Sequence, residues 1–492
     1  MIGPGIPFAT IVRRALVVST SERYFNMAVT FATTLVVSRF LTPAEIGIWA
    51  IGLAAATAIL AAREFTSGAF LIQRRNLAQE EVRGAFTVML AMSAALAAVL
   101  ALGAPAIAAL YGEPRLVSYL RVAALAVLLE AIGAPLAALM RRDMAFTHLA
   151  VVNTVGVAVF SGVTITLAAL GFSYMSFAWG WAAGAGLTSA LAVYLRPDLW
   201  VFKPVLRHWR GILEFGAYNG PNVFLYRLYE AIPTMVLGRV LSFDAAGLYN
   251  RTLLVCQLPD RIVLGGAVPV ILPALAAEVR AGGNLGASYV RAISFITAVQ
   301  WPALVVLAIL AHPVVLVVLG GQWLSVVPLV QVVALASLLS FTGELTYPVL
   351  VSLGAMRDLL RRALIAWPLS ALVIAGASTF GLMAAALSFF VIVPFQAYVS
   401  LCFVRRHVPV PWRALAGACG RSAVVTLCSA AGPLCVVAAL GFRFDMPVLA
   451  ALLAGALAAA GWLAGVWLTR HPLMHELRLA GRTVREGLGQ WA

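Results

Sequence analysis

Charge is scarce in this chain, and lysine is nearly absent. Of 492 residues only 11% are Asp, Glu, Lys or Arg, while 62% are hydrophobic. A soluble domain carries about a quarter charged residues, so a water-exposed globular protein is excluded and an integral membrane protein is indicated. No polar stretch is long enough to fold as a separate soluble domain. The single lysine, Lys203, lies outside any G-x-x-x-x-G-K-S/T pattern, which excludes a nucleotide-driven pump within this chain. The six aspartates contain no Asp-x-Asp pair, and the turns on one side of the apolar runs are short. A membrane-bound glycan polymerase or ligase would lack the large catalytic loop it needs. The five cysteines (Cys256, Cys402, Cys419, Cys428 and Cys435) sit in apolar surroundings without metal-ligand spacing. An odd number of them, with no soluble module, argues against a disulfide framework. His471 and His475 are four positions apart but have no further ligands nearby, so no metal site is read.

What the chain does have is arginine. There are 33, giving a net charge of +15, and most fall in short turns between apolar runs rather than in a basic, aromatic-interleaved polar domain. Nucleic-acid binding is therefore excluded. Runs of about 20 apolar residues predict fourteen spans: 15–38, 46–66, 84–110, 117–140, 149–170, 173–195, 212–238, 248–277, 289–311, 325–353, 362–380, 382–404, 415–440 and 446–469. Arg13 and Arg14 open the first, which Ser21–Asn26 interrupt, and it reads as an uncleaved helix. Twenty-four of the 34 basic residues fall on the side that holds both termini and five on the other. The bias puts both termini in the cytoplasm. The tail after His471 reads equally as an interfacial helix or a solvated end.

The seventh run carries Asn219, Asn222, Tyr226, Glu230 and Thr234 within about a third of a helix turned by about 100° per residue, and Arg227 borders that stripe. Ser19, Glu22, Asn26, Thr30 and Thr34 repeat its spacing in the first run, with Arg23 beside them. An Arg or acid at mid-span costs about 2.5–3.5 kcal/mol against lipid, so these groups should face a wet cavity. Longer repetition supports two related halves. Arg39–Trp49 parallels Arg239–Tyr249, Pro105 and Gly112 match Pro313 and Gly320, and Val122–Gly133 matches Val332–Gly343, at offsets of 200, 208 and 210. Six spans per repeat make the halves parallel. The fold class is thus an all-α polytopic membrane protein of about fourteen transmembrane helices. Residues 1–195 and 212–404 form two six-helix lobes, 196–211 a cytoplasmic linker, 405–470 a final helix pair and 471–492 a cytoplasmic tail.

The blocks Ser38-Arg-Phe-Leu-Thr-Pro-Ala-Glu-Ile-Gly-Ile-Trp49, its echo Gly238–Tyr249 and Pro313-Val-Val-Leu-Val-Val-Leu-Gly-Gly-Gln-Trp323 resemble those of bacterial oligosaccharide flippases. These are the Wzx-like, polysaccharide-transporter branch of the multidrug/oligosaccharidyl-lipid/polysaccharide exporter superfamily. The last block is one residue shorter before Trp than the family pattern. The resemblance implies lobes around a central cavity, alternating access, and outward movement of a polyprenyl-pyrophosphate-linked glycan across the inner membrane by a monomer. It implies no enzymatic activity and no cofactor, with other polysaccharide-assembly proteins and membrane lipids as partners.

Such a substrate asks for guanidinium groups toward phosphate and amides, hydroxyls and aromatic faces toward sugar. Arg23, Arg227, Arg251 and Arg261 supply charge; Asn26, Asn219, Asn222 and Gln257 supply polar contacts; Tyr226, Tyr229 and Trp49 supply stacking. Arg63 is placed to meet the head group as it enters. The structural alternative is ion pairing: Arg23 with Glu22 or Glu230, and Arg261 with Asp260. Glu22, Glu130, Glu230, Asp260 and Glu344 are candidates for coupling to a proton or sodium gradient, or else neutralise arginines. The membrane potential offers a route without ions. Prolines within spans, Pro221 and Pro233 among them, are hinges or static kinks. The competing function is a drug exporter of the same superfamily, which would favour an acidic, aromatic cavity.

Overall fold

A computed structural model describes residues 8–66, 71, 78–205, 209–263, 275, 278–281 and 283–474. They contain eighteen α-helices and no strand, in two compact units, Met1–Gly247 and Leu248–Ala492. The N-terminal unit holds α1 (Phe8–Phe40), α2 (Pro43–Leu60, continued by a 3-10 turn Ala61–Thr66), α3 (Gln79–Tyr111), α4 (Arg115–Arg142), α5 (Phe146–Ala169), α6 (Met175–Leu195) and α7 (Trp209–Val240). The boundary falls within α8 (Phe243–Cys256). The C-terminal unit continues with α9 (Leu258–Val263), α10 (Leu285–Ile309), α11 (Ala311–Val318), α12 (Val327–Ala336), α13 (Phe341–Ser352), α14 (Met356–Ser378), α15 (Leu382–Leu387), α16 (Phe389–Arg405), α17 (Trp412–Ala439) and α18 (Val448–Leu468).

Ten helical stretches among the described residues are long and apolar enough to cross a membrane. They coincide with the expected second to fifth and ninth to fourteenth spans. The remaining four explain themselves by composition. Helices α1 and α7 run for 33 and 32 residues, ample for a bilayer at about 1.5 Å per residue, but carry the polar stripes. In α6 hydropathy is diluted by Gly, Ser and Trp. The expected eighth span is divided at the single residue Gln257 into the short helices α8 and α9, and residues 264–274 lie outside the described set.

The repeated Leu-Thr-Pro-Ala-Glu-Ile-Gly block has a local cause. Thr42 ends the preceding turn and caps α2: the Glu45 amide donates to Thr42 Oγ1 at 3.4 Å, and the Thr42 amide donates back to Glu45 Oε2 at 2.7 Å. Pro43 fills the first helical position, where its missing N–H costs nothing. The glycine of the block and its echo face each other's backbones. A Cβ on Gly47 would sit 1.8 Å from the Phe243 carbonyl oxygen, and one on Gly247 would sit 2.0 Å from that of Pro43. Small residues let two helices meet backbone to backbone where lipid supplies no hydrophobic drive between them. Beside this contact Tyr119, Leu100, Leu120 and Ala178 join α3, α4 and α6 in one core.

In the C-terminal unit the final helix pair is fastened to α10 by polar contacts. Thr297 Oγ1 and Ser422 Oγ lie 2.8 Å apart, and Trp462 Nε1 donates to the Ala298 carbonyl at 2.7 Å. His471 closes the end of α18. The Leu473 amide donates to its Nδ1 at 3.2 Å, which leaves the proton on Nε2 to be donated to Ser294 Oγ at 2.9 Å. Burial, with Arg421 nearby, holds the imidazole below its ordinary value.

Gly47→Ala should lower stability by ~1–3 kcal/mol through overpacking, read as a lower unfolding temperature in detergent. Gly103→Ala, whose Cβ would meet open space, should not. His471 takes up a proton less readily folded than unfolded, so its contribution is complete above the ordinary imidazole value of 6.5 and is lost as pH falls below it. Unfolding temperature should therefore fall between about pH 7.5 and 5.5, and fall less in His471→Asn.

Candidate functional site

The N-terminal unit carries a partly open cavity of about 790 Å³. Its walls come from α1, α3 to α6 and the 3-10 turn at the end of α2, each contributing polar groups at turns that the apolar pattern leaves free. Glu22 and Asn26 project from α1, one turn apart. The turn Ala61–Thr66 contributes Arg63, Glu64 and Thr66, α4 contributes Glu130 and Arg141, α5 contributes Asn153, and α6 contributes Trp181 and Thr188.

Two contacts organise the lining. Arg63 Nη2 donates to Glu130 Oε1 at 2.8 Å, with the two side chains 34% and 40% exposed. Asn153 Nδ2 donates to Glu22 Oε1 at 2.7 Å. Asn26 Oδ1 is buried and accepts no hydrogen bond among the described residues. The cavity thus presents guanidinium and amide donors beside carboxylate and amide acceptors, with the Trp181 indole on one wall. That mixture can bind a ligand rich in hydroxyls that also bears negative charge.

Helix α7 packs on the same turn that carries Arg63. Phe65 meets Phe224 with ring centroids 5.9 Å apart, and Gly220 lies under Phe65 because a Cβ there would stand 2.8 Å from its ring. Along α7 the stripe forms a chain of its own. Tyr226 donates to Glu230 Oε1 at 2.7 Å, Arg227 lies 3.3 Å from Glu230 Oε2, and all three are exposed. Asn222 Oδ1 is buried without a donor among the described residues. The Asn219 side chain lies outside the described residues. Arg23 is exposed on α1.

The remaining candidates belong to the C-terminal unit. Arg251 is 2% exposed and lies over the Trp323 ring, 5.6 Å from its centroid. Arg261 donates to Gln257 Oε1 at 2.8 Å, and Asp260 accepts from Gln300 Nε2 at 2.8 Å. Glu344 lies on the first turn of α13. The ion pairs weighed from sequence, Arg23 with Glu22 or Glu230 and Arg261 with Asp260, do not form among the described residues. Glu22 goes to Asn153, Glu230 to its own helix and Asp260 to Gln300.

Sequence reasoning brought Glu22, Asn26, Arg63 and Glu130 forward and missed Glu64, Arg141, Asn153, Trp181 and Thr188 as their neighbours. Asn153 had a signal, being the one amide in an otherwise apolar run. Arg141 was counted only as a topological charge.

Known proteins share both the sequence pattern and the fold. A family model described as "Polysaccharide biosynthesis protein" matches residues 36–328. The chain is 22% identical over 315 residues to the lipopolysaccharide biosynthesis protein WzxC of Escherichia coli, covering 63% of each chain. It is 25% identical over 311 residues to the succinoglycan biosynthesis transport protein ExoT of Rhizobium meliloti, covering 62% of each. The match therefore spans a little under two thirds of these relatives' length. Among solved structures, the lipid II flippase MurJ in an inward closed conformation superposes with a TM-score of 0.71 at 11% identity, over 93% of this chain and 99% of that one. An inward-facing multidrug resistance MATE transporter of the MOP superfamily superposes with 0.61 at 16% identity, over 79% and 96%.

Because the Arg63–Glu130 pair is partly open to solvent, it should contribute little to folding. A double-mutant cycle of Arg63→Ala and Glu130→Ala, read by thermal unfolding, should give a coupling of about 0.2–1 kcal/mol. A larger coupling would mark the pair as a structural clamp rather than a group held ready for a ligand.

Proposed function

This chain belongs to the polysaccharide biosynthesis protein family, a multi-pass membrane family, and from that premise we propose that it is a flippase. Its cargo is a polyprenyl-pyrophosphate-linked oligosaccharide, a precursor of a surface polysaccharide, capsule or O-antigen. It carries this cargo by alternating access from the cytoplasmic to the periplasmic leaflet of the bacterial inner membrane, with both termini in the cytoplasm. The observation that carries the reading is the N-terminal cavity, where Arg63, Glu130, Glu22, Asn26 and Asn153 collect within apolar helices. The names of WzxC, a lipopolysaccharide biosynthesis protein, and ExoT, a succinoglycan biosynthesis transport protein, support the same substrate class.

Chemically, the hydroxyl-rich glycan takes the carboxylates and amides as acceptors and donors. The pyrophosphate takes guanidinium groups, with Arg63 in the cavity and Arg23, Arg227 and Arg261 as further candidates on exposed faces. Arg251, packed under Trp323, is assigned to holding the C-terminal helices. The lipid tail needs no protein chamber, since it can remain in the bilayer while the head group crosses. The membrane potential favours outward movement of an anion by ~2.3 kcal/mol per charge per 100 mV when the protein moves no compensating charge.

In cells that carry this chain as their native copy, Arg63→Ala should reduce surface glycan at least about tenfold, a loss of one charge-assisted contact. Lipid-linked oligosaccharide should accumulate in the membrane, with the protein still inserted. Normal surface glycan in a deletion strain, together with raised sensitivity to cationic drugs, would instead assign the chain to drug export.

A further inference from the structure

The C-terminal unit gathers positive charge at one end of α14, α16 and α17. Residues 353–415 contain six arginines and one acid, Asp358. The turn between α16 and α17 lies against the start of α14, where basic side chains from both close on that acid. Arg361 Nη1 donates to Asp358 Oδ1 at 3.3 Å, and Arg406 Nη1 lies 4.0 Å from the same oxygen. His407 Nε2 donates to Asp358 Oδ2 at 2.7 Å. One carboxylate cannot neutralise two guanidinium groups. The Arg361 and Arg406 side chains are 65% and 56% exposed, so most of their N–H groups are open to another acceptor.

The turn is held in place from beneath. Val408 and Val410 are buried in one core with Tyr289 and Leu415. Arg405 is fixed twice: its Nε donates to the Val410 carbonyl at 3.1 Å, and its guanidinium lies 4.3 Å from the centroid of the Trp412 ring. Arg406 lies over the Phe403 ring at 4.4 Å. Cations already seated on aromatic faces lose less freedom when they take a ligand. Along α14 the surface then changes character. Leu364, Ile365 and Leu372 are exposed and share with Arg361 about a third of the helix circumference. From Arg361 to Leu372 the helix rises about 16 Å, close to the ~15 Å depth of one leaflet's hydrocarbon. A soluble anion would use the charge alone, whereas an amphiphile uses the charge and the apolar stripe.

We propose that Arg361 and Arg406, with Arg405 beside them, bind an anionic phospholipid. Its phosphodiester sits on the guanidinium groups, and one acyl chain runs along Leu364, Ile365 and Leu372. Arginine meets phosphate oxygens through charge-assisted, often paired hydrogen bonds. With His407 neutral, the two arginines exceed Asp358 by one charge, which a single phosphodiester balances. Trp412, half exposed next to Arg405, supplies an indole of the kind that settles at the boundary between lipid and water. The lipid bridges the start of α14 and the end of α16. None of these residues belongs to the N-terminal cavity, and the site asks only that the helices cross a membrane, so it does not rest on the flippase reading.

The test uses the purified full chain, stripped of lipid in detergent and offered equal amounts of phosphatidylglycerol and phosphatidylcholine. Native mass spectrometry reads which lipid stays bound, and thermal unfolding is measured with each lipid alone. The wild type should retain phosphatidylglycerol over phosphatidylcholine by about twentyfold, roughly fivefold per arginine, and be stabilised by it. Arg361→Gln and Arg406→Gln should each cut the preference about fivefold, with the lipid-free unfolding temperature unchanged. Arg443→Gln, exposed beyond the opposite end of α17, should leave it as it was. No preference in the wild type overturns the proposal, as does an undiminished preference in Arg361→Gln and Arg406→Gln. An equal loss in Arg443→Gln overturns it by reducing the effect to net charge. Stabilisation by inorganic phosphate equal to that by phosphatidylglycerol overturns it too, because the acyl chain would then contribute nothing.

Discussion

A polar group carried into a layer of apolar helices must find a partner there, and its own helix offers few. The N-terminal unit meets this requirement by convergence. Glu22 on α1 takes the amide of Asn153 on α5, and Arg63 at the end of α2 takes Glu130 on α4. Each contact links helices distant in sequence, and between them a cavity stays open with an amide oxygen of Asn26 still unmet. If the groups were there only to neutralise one another, packed apolar side chains of similar volume would serve as well or better. What remains is a lining with capacity for both donors and acceptors, which a glycan can use.

The same helices show how closeness is bought with glycine. The block around Thr42-Pro43 and its echo near Ser242 read from sequence as an internal repeat. In the fold the capping box starts α2 at a defined residue, and Gly47 and Gly247 let two helix beginnings meet through their backbones. The repeat is therefore a packing device as well as a record of duplication. At the far end of the chain, His471, Ser422 and Trp462 fix the last helix pair to α10, so these helices are part of the C-terminal unit's core.

Much of this was legible in advance. Scarce charge and long apolar runs gave the class, and ten of the fourteen expected spans recur as apolar membrane-length helices. The polar periodicity of the first and seventh runs singled out Glu22, Asn26, Tyr226 and Glu230, because one helix face can be read from 3.6-residue spacing. Which group each one meets could not be read, since that depends on how helices pack across more than a hundred residues. Asn153 and Arg141 went unnoticed because a lone amide in an apolar run, or an arginine near a helix end, has many ordinary explanations. The interruption at Gln257 was hidden because it is a single residue: its amide still donates to the Leu253 carbonyl and its own carbonyl accepts from the Arg261 amide, so hydropathy along the run does not register it.

Movement of a lipid-borne sugar phosphate from one leaflet to the other is the proposed activity, and it can be measured without cells. The most direct measurement places the purified protein in liposomes containing a fluorescent polyprenyl-pyrophosphate oligosaccharide in both leaflets, then adds an impermeant quencher outside. Protein-containing vesicles should lose nearly all their fluorescence as inner-leaflet molecules reach the quencher, whereas protein-free vesicles should keep about half. Retention of that inner half in the presence of correctly folded protein, with an inside-negative potential and an inward sodium gradient imposed, would contradict it.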